Sequence, residues 1–165
     1  MASHADPRIA MLLDGLDEAF DRRSWHGTTL RGSIRGLTAE EAGWRPAPGR
    51  HNIWEVAVHA AYWKYTVWRK LTGSARGSFA FAGSNWFTRP QRGHEGATAW
   101  GDDVKLLVNQ HRQMRDAVGA LLPAHLDRPF AGSAYTPVSL VRGIAAHDLY
   151  HAGQIQLLKR LQQGR

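Results

Sequence analysis

The residues of this chain best suited to chemistry lie in one stretch, HDLYHAGQIQLLKRL, which runs from His147 to Leu161. His147 and His151 are four residues apart, and residues at that spacing are neighbours on one face of a helix. Two imidazoles on successive turns can both reach one metal ion. The alternative is a pair of partly buried histidines that share an apolar face and bind nothing. The spacing alone leaves both interpretations open.

Asp148 follows the first histidine, in the position where H-E-x-x-H zinc proteases have a general-base glutamate. The aspartate is one methylene shorter, and no third-ligand pattern follows it. Its side chain also points about 100° away from the His147 stripe. The pattern therefore argues against a protease, and we expect Asp148 to orient a neighbour or to face solvent.

A third metal ligand is needed, because catalytic metal sites usually have three protein ligands and one water position. His59 is the best candidate, since it lies within a helical stretch, NIWEVAVHAAYW, between small residues that leave room around it. A core histidine bonded to a backbone carbonyl is the alternative. Glu55, one turn earlier, is a candidate base or supporting partner, or it only completes the helix cap.

The other histidines are weaker candidates. His111 falls on the apolar stripe of a predicted helix and is a candidate pocket wall. His26 and His51 lie in turns near helix ends, where either could reach a site at the mouth of a bundle, although surface positions are commoner for such histidines. Three more lie in terminal or loop positions and are given no role: His4, His94 and His125. Three aromatic residues are candidates for a pocket lining or for plain core: Tyr62, Trp63 and Trp100.

Four long helices are predicted to position these residues. Cap and proline signatures begin helices near residues 7 and 137, and Asn52 and Thr98 are predicted caps of the two helices between them. Apolar residues at helical spacing run over about 7–23 in the first helix. They continue to Thr72 in the second, to Val118 in the third and to about 163 in the fourth. Shorter helical turns are expected within 28–36 and from Thr38.

The sequence predicts an all-α fold, a four-helix bundle, because almost no strand pattern is present. The connection over 73–97 is too long for adjacent antiparallel helices. We therefore expect a crossover that leaves the second and third long helices parallel. No internal repeat and no domain boundary is visible, so a single domain over 1–165 is expected.

Composition narrows the functional classes. The 165 residues include no cysteine, which excludes disulfides, thiolate metal sites and cysteine nucleophiles, and we expect a cytoplasmic protein. No apolar run is long enough to span a bilayer, and the first residues lack the apolar core of a signal peptide. The formal net charge of +7 favours anionic partners. The arginines are scattered and no nucleic-acid-binding motif is present, so nucleic-acid binding is a minor hypothesis.

The motifs together resemble those of the DinB-like, or YfiT-like, metalloenzymes of bacteria. The resemblance rests on NIWEVAVHAAYW at 52–63, HDLYHAGQI at 147–155 and WHG at 25–27, which is similar to the signature of one subgroup. It covers nearly the whole chain. It implies a four-helix bundle of up-down-down-up topology and a divalent ion, most often nickel or zinc. The implied ligands are three histidines: His59, His147 and His151.

The resemblance also implies an activity. Some relatives are thiol-dependent transferases or isomerases that use bacillithiol, mycothiol or glutathione, and many are homodimers. We therefore expect a metal-dependent enzyme, either a thiol-dependent S-transferase or a hydrolase. Its substrate would be a small molecule, and the arginine content suits an anion such as a carboxylated low-molecular-weight thiol. The alternative is a non-catalytic helical bundle that binds a metal or a ligand.

Overall fold

The computed structural model of the chain describes residues 6–89 and 94–164. Within these ranges the chain forms six α-helices and no strand, which confirms the all-α prediction. The helices are α1 (Pro7–Phe20), α2 (Leu30–Ile34), α3 (Ala39–Gly43), α4 (Ile53–Thr72), α5 (His94–Gly119) and α6 (Pro137–Gln163). A single 3-10 turn, Pro123–His125, lies in the connection before α6.

Side-chain caps explain where most of these helices begin. The Asn52 side chain accepts a hydrogen bond from the Glu55 backbone N–H at the start of α4. A reciprocal capping box joins Thr38 and Glu41 at α3. Each cap satisfies a backbone donor that has no partner within the helix. The predicted starts at Asp6, Asn52 and Thr136 are therefore confirmed.

Two predicted helix boundaries are wrong. Helix α1 ends at Phe20 and does not continue to 23, because the N–H groups of Asp21 and Arg22 both bond to the Asp17 carbonyl and close the last turn. Helix α5 begins at His94, so Thr98 lies inside it and is not its cap.

Packing accounts for the early start of α5. Gly96 is buried, and a Cβ atom built there would lie 3.7 Å from Ala39 and 4.0 Å from the Trp54 ring. Contacts with α3 and α4 therefore hold the turn that precedes Thr98. The irregular connection predicted over 73–97 extends over 73–89 in the structure, and its residues 90–93 lie outside the described ranges.

Helix α4 is the most deeply buried of the long helices. Every residue over 53–61 is buried, and the helix packs against α5 and α6. Helix α1 also packs against α5 and α6, while α3 contacts α4 and α2 contacts α6. Because His59 lies within this buried segment, its ring is held by packing on several elements.

A buried ion pair ties α4 to α6. Lys64 Nζ donates to Asp148 Oδ2, and both side chains are completely buried. Burial lowers the pKa of Lys64 and raises the pKa of Asp148, because it penalises the charged form of each group. Of the two alternatives for Asp148, orienting a neighbour or facing solvent, the structure excludes exposure to solvent. Among the described residues, none of the helices combines the length and apolar character needed to cross a bilayer.

Candidate metal centre

Three histidines from two helices meet at one point. His59 projects from the middle of α4, and His147 and His151 project from successive turns of α6. The Nε2 atom of His147 lies 3.1 Å from that of His59 and 3.0 Å from that of His151. Within the described ranges this is the one cluster of three or more side chains suited to hold a metal. The structure thus brings together the three residues that the sequence indicated.

The outer nitrogens of two of these rings are held by oxygen acceptors. His59 Nδ1 lies 2.9 Å from the backbone oxygen of Asn85, and His151 Nδ1 lies 2.7 Å from Oε1 of Gln154. Carbonyl oxygens only accept, so both rings carry their proton on Nδ1. Each ring therefore directs an Nε2 lone pair toward the centre, as metal-ligating histidines do.

The donor set fits a single divalent ion. Nitrogens bound to one ion at about 2.0–2.1 Å lie roughly 3.0–3.4 Å apart, which matches the separations around His147. Two lone pairs this close repel each other, and either a cation between the rings or a proton on His147 Nε2 removes that repulsion. His147 Nδ1 is buried and has no hydrogen-bond partner among the described residues, so Nε2 is its interacting atom.

The protonation states of the three rings also suit metal binding. Burial lowers the pKa of His59 to about 4 and that of His147 to about 3, because a charged imidazole loses hydration there. Repulsion from His151 adds to the shift at both. Burial lowers the pKa of His151 as well. All three are therefore neutral at pH 7, the form that binds a metal.

The connection before α5 supplies contacts that the sequence analysis missed. Trp86 stacks flat on His59, with ring centroids 3.9 Å apart, and on His51 at 3.6 Å. Asn85 has a left-handed backbone with φ of 66°, and its side chain accepts a hydrogen bond from the Trp63 indole. No periodic pattern marks these two positions in the sequence. Gln154 had a detectable signal, since it lies three residues after His151 on the same helix.

Glu55 is committed to partners other than the three histidines. Its carboxylate accepts hydrogen bonds from Arg45 and lies 2.9 Å from His51 Nδ1. Burial alone would raise the pKa of Glu55, but the hydrogen bonds from Arg45 and His51 outweigh it and the pKa is lowered. Glu55 therefore anchors the segment before α4, besides donating its backbone N–H to the Asn52 cap.

The other candidate residues lie in different places. His51 lines the cleft described below, whereas His111 stacks on Phe20 at 3.7 Å and lines a separate cavity of about 350 Å³. His26 is exposed. Trp63 lines the cleft, while Tyr62 and Trp100 pack in the hydrophobic core. His94 begins α5 and His125 ends the 3-10 turn, and His4 falls outside the described residues.

The three histidines open into a cleft of about 780 Å³. Most of its lining is apolar or aromatic, and it includes Val56, Trp63, Trp86, Tyr150, Leu157 and Leu161. A cleft of this size accommodates a small organic molecule. No fourth side chain among the described residues joins the histidine cluster. The centre therefore has the form of a site with positions left for water or substrate.

Comparison with known proteins identifies one relationship. A family model, that of the DinB superfamily, matches residues 8–155. The match includes α4 and the part of α6 that carries both histidines. Comparisons with curated proteins and with solved structures found no match.

Proposed function

The chain belongs to the DinB superfamily, a metal-binding family, and we propose that it is a metal-dependent enzyme whose divalent ion is held by His59, His147 and His151. The observation that carries this proposal is the opening of three convergent Nε2 atoms into a cleft large enough for a substrate. A structural metal site would instead be closed by a fourth protein ligand.

The residues around the centre have distinct tasks. Asn85 and Gln154 hold the His59 and His151 rings in the tautomer that ligates. Trp86 covers one face of His59 and shields it from water. A divalent ion held by three neutral imidazoles acts as a Lewis acid that lowers the pKa of a bound water or thiol. Zinc and nickel are the ions we propose, since imidazole suits both.

The reaction we propose is a thiol-dependent S-transfer or a hydrolysis of a small molecule. Both reactions need a nucleophile that is deprotonated near neutral pH, which a three-histidine centre favours. The net charge of +7 supports an anionic substrate, such as a carboxylated low-molecular-weight thiol.

We further propose that α1, α4, α5 and α6 form an up-down-down-up four-helix bundle in a single domain over 1–165. The packing of both α1 and α4 against α5 and α6 supports this arrangement. We propose a cytoplasmic location from the absence of cysteine. We propose a homodimer from the family resemblance.

The first experiment titrates chelator-treated protein with zinc and with nickel by calorimetry. We expect one ion per chain, and we expect His147→Ala to weaken binding at least a hundredfold, because two histidines hold an ion poorly. His26→Ala is the matched control, since His26 is exposed and lies outside the cluster. Failure of the wild-type protein to bind either ion would overturn the proposal.

A second experiment separates catalysis from simple binding. The metal-loaded protein is assayed for thiol transfer to an electrophile and for ester hydrolysis, beside metal-loaded His26→Ala and metal-free His147→Ala. Turnover in the first two but not the third supports the enzyme. An ion that binds tightly but gives no turnover with any thiol or ester would favour a non-catalytic metal-binding protein.

A further inference from the structure

The face of α6 that carries the two histidines continues beyond them as a wall of the cleft. Gln154, Leu157 and Leu161 follow His151 at intervals of three or four residues, and all three line the cleft. The stripe therefore changes from metal-binding to apolar along one helix. Leu157 is 59% exposed and Leu161 is 50% exposed. Together with the apolar lining of the cleft, these exposed leucines form a surface of the kind that a ligand or a protein partner covers.

The length of this wall sets the size of the ligand. His151 and Leu161 are ten residues apart on α6, which corresponds to about 15 Å of helix. An extended chain covers roughly 1.2 Å per bond, so about a dozen bonds span that distance. Val56, Trp63 and Trp86 add apolar surface near the histidines. The cleft thus has room for an apolar chain or a fused ring system that reaches from the histidines to the end of the stripe.

Charge in the cleft is confined to one side chain. Arg50 is the sole permanently charged residue lining it within the described ranges, and no carboxylate lines it. The Arg50 side chain is exposed and makes no hydrogen bond or ion pair with another described residue. Glu55, the nearest acid in the sequence, is already paired with Arg45 and His51. A ligand with one negative group would therefore find a free cation and no opposing charge.

We propose that the cleft binds an amphipathic monoanion, an apolar chain or ring system that carries a single carboxylate. The apolar body covers Leu157 and Leu161, the carboxylate pairs with Arg50, and the reacting group faces the three histidines. The last clause rests on the proposed metal-dependent function, whereas the first two concern binding alone. Binding is therefore tested on metal-free protein, in which a metal ion cannot substitute for Arg50 as the cation.

Calorimetry with hexanoate, octanoate and decanoate tests the apolar part. We expect the affinity of metal-free protein to rise up to about fourfold for each added methylene, because each buries apolar surface. In Leu157→Ser/Leu161→Ser the gain per methylene should fall by at least half. Both residues are exposed, so the variant is expected to fold normally, which circular dichroism checks. Equal affinity for the three carboxylates would overturn the proposal.

Arg50→Gln tests the charge. We expect it to weaken decanoate binding about two- to fivefold, the range of a solvent-accessible ion pair, and to leave octanol binding unchanged. Decylammonium should bind wild-type protein more weakly than decanoate. Arg142→Gln is the matched control, because Arg142 is an exposed arginine of α6 that does not line the cleft. Equal binding of decanoate and decylammonium would refute the role of Arg50.

A second copy of this chain is the alternative occupant of the surface formed by Leu157 and Leu161. Sedimentation of wild-type protein and of Leu157→Ser/Leu161→Ser distinguishes self-association from ligand binding. A dimer that the double substitution dissociates, together with no carboxylate binding, would overturn the proposal and assign the stripe to self-association. Loss of metal binding with retained decanoate binding would instead overturn only the proposed metal-dependent function.

Discussion

The buried pair of Lys64 and Asp148 offers a sharp test of how α4 and α6 are held together. Three variants form a double-mutant cycle: Lys64→Met, Asp148→Ala and the two combined. Lys64→Met keeps the length of the side chain and removes its charge. Asp148→Ala removes the carboxylate. Both groups are completely buried, so neither remaining charge can reach water without local unfolding.

The structure gives the expected magnitudes. Removing one member of a buried ion pair leaves an uncompensated buried charge, so each single variant should lose about 3–5 kcal/mol of unfolding free energy. The combined variant leaves no charge and a void of roughly one methylene, so its loss should be only ~1 kcal/mol. The cycle therefore predicts a favourable coupling energy of about 5 kcal/mol or more.

Urea denaturation of metal-free protein, followed by circular dichroism, measures the four stabilities. Metal-free protein is used because a bound ion would add its own stabilisation to the folded state. Zinc titration of the combined variant then shows whether the pair also sets the register that brings His59 to His147. Additive losses in the cycle, or single variants as stable as wild type, would refute the account of a buried and mutually dependent pair.

Two further predictions concern His111 and Asn85. Burial lowers the pKa of His111 to about 2, so the ring stays neutral in the folded state, and above pH 6.5 it is neutral in the unfolded state as well. As pH falls below 6.5 the unfolded state takes up a proton that the folded state does not. The free energy of unfolding then declines by up to ~1.4 kcal/mol per pH unit. His111→Phe, which keeps the stacking on Phe20, should reduce the slope of unfolding free energy between pH 6.5 and 5 by about one proton, and an unchanged slope would contradict this assignment. Asn85→Val should weaken zinc binding about tenfold, because a β-branched residue resists φ of 66° and displaces the backbone carbonyl that holds His59. Glycine tolerates that backbone conformation, so Asn85→Gly should lose less zinc affinity than Asn85→Val. Calorimetry measures both affinities, and equal affinities in the two variants would contradict a role for this carbonyl.

The predictable part of the centre is the part encoded by helical periodicity. His147 and His151 are related by their spacing on one helix, and His59 lies in an equally regular stretch, so their inward direction follows from local sequence. That α4 and α6 bring them within 3.1 Å is a property of tertiary packing, which the family resemblance indicated and the spacing did not. Asn85 and Trp86 lie in irregular chain, where no period indicates direction, and both were missed.

Asp148 shows a different limit of sequence reasoning. Its position about 100° from the histidine stripe was a sound argument that it does not join the histidines. Of the two alternatives left open, exposure to solvent is excluded because α6 is covered by neighbours on more than one side. An angle on a helix relates its side chains to one another, but only the packing partners decide which directions are buried. Lys64, which completes the pair, gave no signal because a lysine in a helix usually reaches water.

The histidine half and the leucine half of the α6 stripe differ in how much sequence change each can accept. Around His147 and His151 the helix is fixed by its contacts with α4, so we expect substitutions there to affect folding and the proposed metal site together. Leu157 and Leu161 are half exposed, so replacing them costs the fold little, typically within about 0.5 kcal/mol. If the cleft binds the proposed ligand, its preference can therefore be changed at the distal half of the helix without altering the three histidines at the other.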